Sequence, residues 1–210
     1  MQQKKSIGFG TRGTLLMIYQ FLAYIGATAF TNYPQNVMYQ FYGGTKTMTL
    51  CNLFGTVFGY LVTYVIVAPR IGKIKNIKRV GLIMGLVSMV LSVFMCVIPP
   101  SMLTLWCINF VILFVATQQW GLFFVTLLIG NWFPRRKGTV MGIVTIAFPL
   151  VTGVLLNLFM LQFFSLLGSG ATLMKAIFVS FAPYWALSLI GMGICAIWLK
   201  DYPEQVGAYR

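Results

Sequence analysis

Five stretches of this chain run without a charged residue for long enough to cross a bilayer, and they decide what it can fold into. Charged side chains are missing between Arg12 and Lys46, Lys46 and Arg70, Arg79 and Arg135, Lys137 and Lys175, and Lys175 and Lys200. A helix rising ~1.5 Å per residue crosses a hydrocarbon core ~30 Å thick with about 20 residues. The stretch from Val80 to Pro134 is more than twice that length, and Pro99-Pro100-Ser101 breaks it where a helix has to stop and turn. The sequence therefore predicts an all-α membrane protein with six spans: Gly13 to Tyr33, Thr47 to Ala68, Val80 to Ile98, Leu103 to Leu128, Thr139 to Phe159 and Phe181 to Leu199. The first span is too long, and has too many companions, to read as a cleaved signal peptide.

Composition excludes the soluble alternatives. Of 210 residues 59% are hydrophobic and 8% charged, whereas a soluble domain carries about a quarter of its residues charged. The net charge of +13 would suit a polyanion, but the placement of the basic residues argues for a topology signal. Lys4, Lys5 and Arg12, the loop Arg70, Lys73, Lys75, Lys78 and Arg79, the turn Arg135, Arg136 and Lys137, and the tail Lys200 and Arg210 fall on one side of the membrane. Only Lys46 and Lys175 fall on the other. Short basic loops stay cytoplasmic, so residues 1–12 and 200–210 are expected in the cytoplasm, flanking a six-helix bundle at 13–199. No nucleic-acid partner is needed to account for the charge.

The chain offers little for covalent or metal chemistry. It has no histidine, and its only acids, Asp201 and Glu204, lie in the tail. No metal, cofactor or catalytic residue is expected, and no buried carboxylate is present to carry a proton. Cys51, Cys96, Cys107 and Cys195 fall one per span, without a C-x-x-C pair, and read as small packing residues.

Hydrogen-bonding side chains are distributed unevenly among the spans. Span one carries Gln20, Tyr24 and Thr28 at i, i+4, i+8, on one helical face; span two repeats the spacing with Asn52, Thr56, Tyr60 and Tyr64. Span four has Asn109 and Gln118-Gln119-Trp120, and span five has Thr145, Thr152 and Asn157. Spans three and six offer only Ser88, Ser92 and Ser188, and because serine can bond back to its own helix those two helices can face lipid at little cost. An amide facing hydrocarbon without a partner costs roughly 4 to 8 kcal/mol on an alkane scale. For any one of these residues, bridging between helices at ~0.6 kcal/mol competes evenly with cavity lining. As a set, stripes confined to four of six helices favour a polar cavity. Gly55-x-x-x-Gly59, Gly81-x-x-x-Gly85 and Gly138-x-x-x-Gly142 are candidate sites of close helix approach, and Pro149 deletes a backbone hydrogen bond inside span five.

Several motifs carry a resemblance. Asn131-Trp132-Phe133-Pro134-Arg135-Arg136-Lys137-Gly138, followed by Met141-Gly142-Ile143, resembles the start of the fifth helix in major facilitator superfamily transporters, especially the oxalate:formate antiporter-like and monocarboxylate branch. The tail Lys200-Asp201-Tyr202-Pro203-Glu204-Gln205-Val206-Gly207-Ala208-Tyr209 is similar to the start of that branch's central cytoplasmic loop. Arg70-Ile71-Gly72-Lys73 matches the end of the superfamily's G-x-x-x-D-R-x-G-R-R loop, although Pro69 and Val65 stand where that motif has Asp and its leading Gly. Span one also lacks the acidic residue that opens the monocarboxylate pattern.

The resemblance implies the first half of a twelve-helix transporter: a 3+3 inverted repeat whose first, second, fourth and fifth helices line the cavity while the third and sixth face outward. It implies a plasma or inner membrane location, an antiport or symport mechanism, and a small organic anion such as a monocarboxylate as solute. It also implies a second six-helix half, whether a separate chain, missing sequence or another copy. Tyr24, Thr28, Thr56, Tyr60, Gln118, Gln119, Trp120 and Thr152 are the expected cavity residues. Arg70, Gly72, Lys73, Arg135, Arg136 and Lys137 are the expected cytoplasmic loop residues, latching and orienting rather than binding solute. A truncated or decayed half, acting only as a membrane assembly partner, is the competing expectation.

Overall fold

The computed structural model describes residues 10–41 and 45–206. Lys4, Lys5, Arg210 and the tail segment Gly207 to Tyr209 lie outside the described residues. Six helices are long and apolar enough to span a membrane: α1 (Gly10–Pro34, the helix itself continuing to Phe41), α2 (Thr49–Lys73), α3 (Ile77–Val97), α4 (Leu103–Trp132), α5 (Lys137–Gly168) and α6 (Leu173–Trp198). With no water in hydrocarbon to satisfy backbone groups, continuous helices are the natural answer to such sequences. The spans match expectation in number and order, but α5 runs nine residues beyond Phe159 and α6 begins eight before Phe181. Asn76 caps α3 by accepting the Arg79 N–H at 2.9 Å, and Thr172 caps α6 by accepting that of Lys175 at 3.4 Å. Lys175 thus sits in the first turn of α6, where the sequence suggested a loop.

Three spans are not uniform. Wider π-type turns occupy 61–67 of α2, 118–124 of α4 and 151–155 of α5, the last directly after Pro149. A turn at Ile146 precedes that proline, so α5 is interrupted on both sides of the residue that cannot donate.

The bundle is organised around α1 and α4, the two most buried spans. They cross at Gly121: a Cβ there would overlap Ala27 Cβ and lie 3.1 Å from the Ala23 carbonyl oxygen. α6 lies along α1, with Gly191 against Leu22 and Tyr19, and α2 lies along α4, with Gly55 and Gly59 against Phe114. α3 packs on α4 and α6 through Gly81 and Gly85, which face Phe124, Trp120 and Met192. α5 closes the other flank, where the Tyr33 hydroxyl of α1 donates to the Val151 carbonyl at 3.2 Å and the Tyr184 hydroxyl of α6 to that of Leu155 at 2.9 Å. Two of the three small-residue motifs therefore mediate close approach. Gly138 and Gly142 do not: nothing lies within 4 Å of a Cβ at either.

The serines of α3 and α6, Ser88, Ser92 and Ser188, are all fully buried. Ser88 and Ser92 donate to Met84 and Met89 carbonyls, and Ser92 also accepts the Trp185 indole N–H at 2.9 Å. Ser92 thus sits at the α3–α6 seam, while Ser188 faces Gly26 of α1. The most exposed spans are α2 and α5, with 22% of their apolar windows buried, against 33% for α3 and 44% for α6.

Two of the four cysteines depart from expectation. Cys51 and Cys107 form a disulfide between α2 and α4, with Cα atoms 5.7 Å apart, so they brace two helices covalently instead of merely filling space. Cys96 and Cys195 are free and buried, as packing residues would be. The bonded pair lies near the helix ends remote from the loops bearing Arg70 to Arg79 and Arg135 to Lys137.

Candidate functional site

Side chains from α1, α2, α4 and α5 enclose a cavity of about 340 Å³. Tyr24, Ala27, Thr28, Thr31 and Asn32 come from α1, Asn52, Thr56 and Tyr60 from α2, Phe114, Thr117, Gln118 and Leu122 from α4, and Phe148 from α5. No residue of α3 or α6 lines it. The i, i+4 spacing of Tyr24, Thr28 and Asn32 on α1, and of Asn52, Thr56 and Tyr60 on α2, keeps each set on one face. Those faces meet across the gap left where α1 and α2 touch little.

Five of the eight side chains expected at a cavity come together here: Tyr24, Thr28, Thr56, Tyr60 and Gln118. Three do not. Gln119 is buried between α4 and α2, where its amide donates to the Thr63 hydroxyl at 2.5 Å. Trp120 is fully buried in the core, stacked on Phe30 and covered by Gly26 and Gly85. Thr152 donates to the Phe148 carbonyl of its own helix at 3.0 Å. Successive helical residues point about 100° apart, so a polar triplet such as 118–120 faces three different neighbours. Asn32, Thr31, Asn52 and Thr117 complete the polar lining; Asn32 was legible as the next i+4 step after Thr28.

Hydrogen-bond polarity in this cavity follows from the helices themselves. The hydroxyls of Thr31, Thr56 and Thr117 donate to the carbonyls of Ala27, Asn52 and Phe114 at 2.9, 2.8 and 2.9 Å. Each spends its only hydrogen on its own backbone, and the Thr31 oxygen also accepts from the Asn32 amide at 3.4 Å. The other donors of the lining are the hydroxyls of Tyr24, Tyr60 and Thr28 and the amides of Gln118, Asn52 and Asn32, the last donating to the Thr28 carbonyl at 2.9 Å. Tyr24 meets Phe148 edge-on, 6.5 Å between centroids, forming the α1–α5 wall. Tyr60 stacks on Tyr64, which meets Phe123 edge-on, extending the aromatic α2–α4 wall beyond the cavity. Among the described residues, no lysine, arginine, aspartate or glutamate lines the cavity.

Two other polar side chains of the four spans bridge helices. Gln20 is buried against Met141 of α5, its amide 3.6 Å from the sulfur. Asn109 donates to the Leu91 carbonyl of α3 at 3.1 Å. Thr145 and Asn157 are exposed and bond back to their own helix.

At the basic-loop end, Arg70, Gly72, Lys73, Arg135, Arg136 and Lys137 are all exposed, and Arg70 turns back onto the Ile66 carbonyl at 2.6 Å. The interhelical clasp at this end is built from residues that the sequence offered only as topology charges or as parts of motifs. Lys78 Nζ donates to the Ala196 and Leu199 carbonyls at 2.8 and 2.7 Å, placing a cation on the carboxyl end of α6. The buried Asp201 carboxylate accepts the Lys78 backbone N–H at 2.6 Å, placing an anion on the amino end of α3. Trp132 and Asn131 of α4 donate to the Lys200 and Asp201 carbonyls at 2.9 and 3.3 Å. The signal was available: Asp201 is one of two acids in the chain and directly follows an apolar span.

Compared with known proteins, the chain matches no family model, no curated protein and no solved structure.

Proposed function

We propose that this chain is one six-helix half of a secondary transporter of the major facilitator type, carrying a small polar organic solute by alternating access. The single observation that carries the reading is the cavity, lined by the first, second, fourth and fifth spans and by neither the third nor the sixth. The packing pattern supports an inverted repeat. Exchanging helices 1, 2, 3 for 4, 5, 6 turns the α1–α6 contact into α4–α3 and the α2–α4 contact into α5–α1, and all four are present. The α5–α6 contact has no such counterpart between α2 and α3.

Alternating access needs a second bundle to rock against. α2 and α5 supply apolar faces for one, including Leu53, Val57, Leu61 and Val65 on α2 and Val154, Leu158 and Leu161 on α5. The orientation drawn from the basic residues puts the Cys51–Cys107 disulfide on the non-cytoplasmic side, where disulfides persist.

Uptake of a panel of labelled small organic solutes into vesicles containing the chain tests the reading. Saturable uptake is expected, and Gln118→Ala should lower it about tenfold, since a lost hydrogen bond of about 1.4 kcal/mol corresponds to that factor. Uptake equal to that of empty vesicles, with the chain folded and paired, would remove transport and leave an assembly role.

A further inference from the structure

A second groove, of about 360 Å³, opens between the end of α3 and the start of α6. Cys96 and Val97 in the last turn of α3 form one side, and Met174, Phe178 and Val179 in the first turns of α6 the other. The Phe178 ring meets Trp185 edge-on at 4.7 Å, and the Trp185 indole donates to the Ser92 hydroxyl at 2.9 Å, so this wall is braced from behind. Among the described residues Lys175 is the one charged side chain of the lining. Residues three and four positions apart share a helix face, which puts Phe178 and Val179 one turn deeper than Lys175. The exposed Met174 and Phe178 open the groove sideways to hydrocarbon.

No acidic side chain of the protein can pair with Lys175. α3 starts and α6 ends beside Lys78, which bonds the Ala196 and Leu199 carbonyls, so the groove lies at the opposite end of the bundle. The only acids, Asp201 and Glu204, follow α6 and are separated from Lys175 by its length. Topology does not account for this lysine either. In the orientation drawn from the basic residues it is one of two cations outside, against the bias that keeps lysine and arginine cytoplasmic. Its ammonium and the positive end of the α6 dipole, where Thr172 is the cap, favour an anion supplied by another molecule. A water-soluble anion would use the rim and leave the groove unfilled, whereas an anion carrying a hydrocarbon chain fits both.

We propose that this groove holds an anionic phospholipid, with its phosphate at Lys175 and one acyl chain lying between Val97 and Phe178. The site is separate from the polar cavity, and its occupancy does not depend on transport.

The full chain with the photoreactive p-benzoylphenylalanine in place of Phe178 is irradiated in nanodiscs of equal parts phosphatidylglycerol and phosphatidylcholine with matched acyl chains, and its adducts are identified by mass spectrometry. Phosphatidylglycerol adducts should exceed phosphatidylcholine adducts about fivefold, the factor equivalent to the ~1 kcal/mol that one cation contributes near a membrane surface. Lys175→Gln in the same background should bring the two to parity. Lys46→Gln, which alters the other cation of that side but lies outside the lining, should leave the preference intact. The same probe at Val90, exposed on α3 and outside the groove, should give parity with or without Lys175. Met174, at the exposed rim, takes the probe as a second, independent position and should repeat the Phe178 result. Parity at Phe178 and Met174 with Lys175 present would overturn the proposal, as would a preference that survives Lys175→Gln. Crosslinking to a second copy of the chain would assign the groove to a protein contact, and adducts of copurified fatty acid in place of phospholipid would assign it to a single-chain anion; either result would also overturn it. Solute uptake decides the transporter reading separately.

Discussion

Gly121→Leu should abolish the folded bundle. α1 and α4 form its central pair, and at their crossing a Cβ on residue 121 would collide with Ala27 and press on the Ala23 carbonyl. Both obstacles are short, one of them backbone, so neither can swing aside as the end of a flexible chain would. Overpacking a tight core costs typically 1 to 3 kcal/mol and more when backbone has to move, and a leucine adds three further carbons to the Cβ. Separating α1 from α4 would also separate the α1–α6 and α2–α4 pairs that build on them. The expected result is loss of the monodisperse species in detergent, with Gly121→Ala intermediate. Gly142→Leu is the control, because nothing lies within 4 Å of a Cβ there, and it should purify like wild type. Equal behaviour of the two leucine variants would mean that α1 and α4 do not cross at Gly121.

Trp120→Ala distinguishes a core residue from a cavity wall. The indole is fully buried, stacked on Phe30 at 6.3 Å and overlain by Gly26 and Gly85. Lipid is as apolar as the core, so hydrophobic transfer contributes little here and lost packing dominates. A destabilisation of about 3 kcal/mol is expected, the low end for a deleted large aromatic, read as a lowered thermal or denaturant midpoint in micelles. Solute affinity of the surviving folded fraction should stay near wild type, because Trp120 lies outside the cavity lining. A variant of unchanged stability that had lost solute binding would return Trp120 to the cavity wall.

The contrast between Trp120 and Gln118 shows what this sequence reveals and what it conceals. Long charge-free runs declare six spans because the hydrocarbon tolerates little else. Stripes such as Tyr24-Thr28 and Asn52-Thr56-Tyr60 declare a shared face because helical spacing is fixed. Facing is harder to read within a cluster: Gln118, Gln119 and Trp120 are adjacent in sequence yet turn to the cavity, to Thr63 and to Phe30. The decisive close approaches were hidden for a similar reason. Gly26 and Gly121 belong to none of the repeated small-residue motifs, while Gly138 and Gly142 form such a motif and meet nothing. The Cys51–Cys107 pairing spans 56 residues, and spacing alone cannot select it. Likewise, the burial of Ser92 against α6 and of Ser188 against α1 appears only once those helices are placed.

The central claim is that a wet hollow lies among α1, α2, α4 and α5, with α3 and α6 taking no part in its lining. Single cysteines at Thr28, Thr56 and Gln118, and at Ser88 and Ser188, can be compared for reaction with a membrane-impermeant thiol reagent applied to both faces of the assembled protein. Fast modification at the first three, with protection at the two serine positions, is the predicted pattern. Slow modification at 28, 56 and 118 together with fast modification at 88 and 188 would contradict the account.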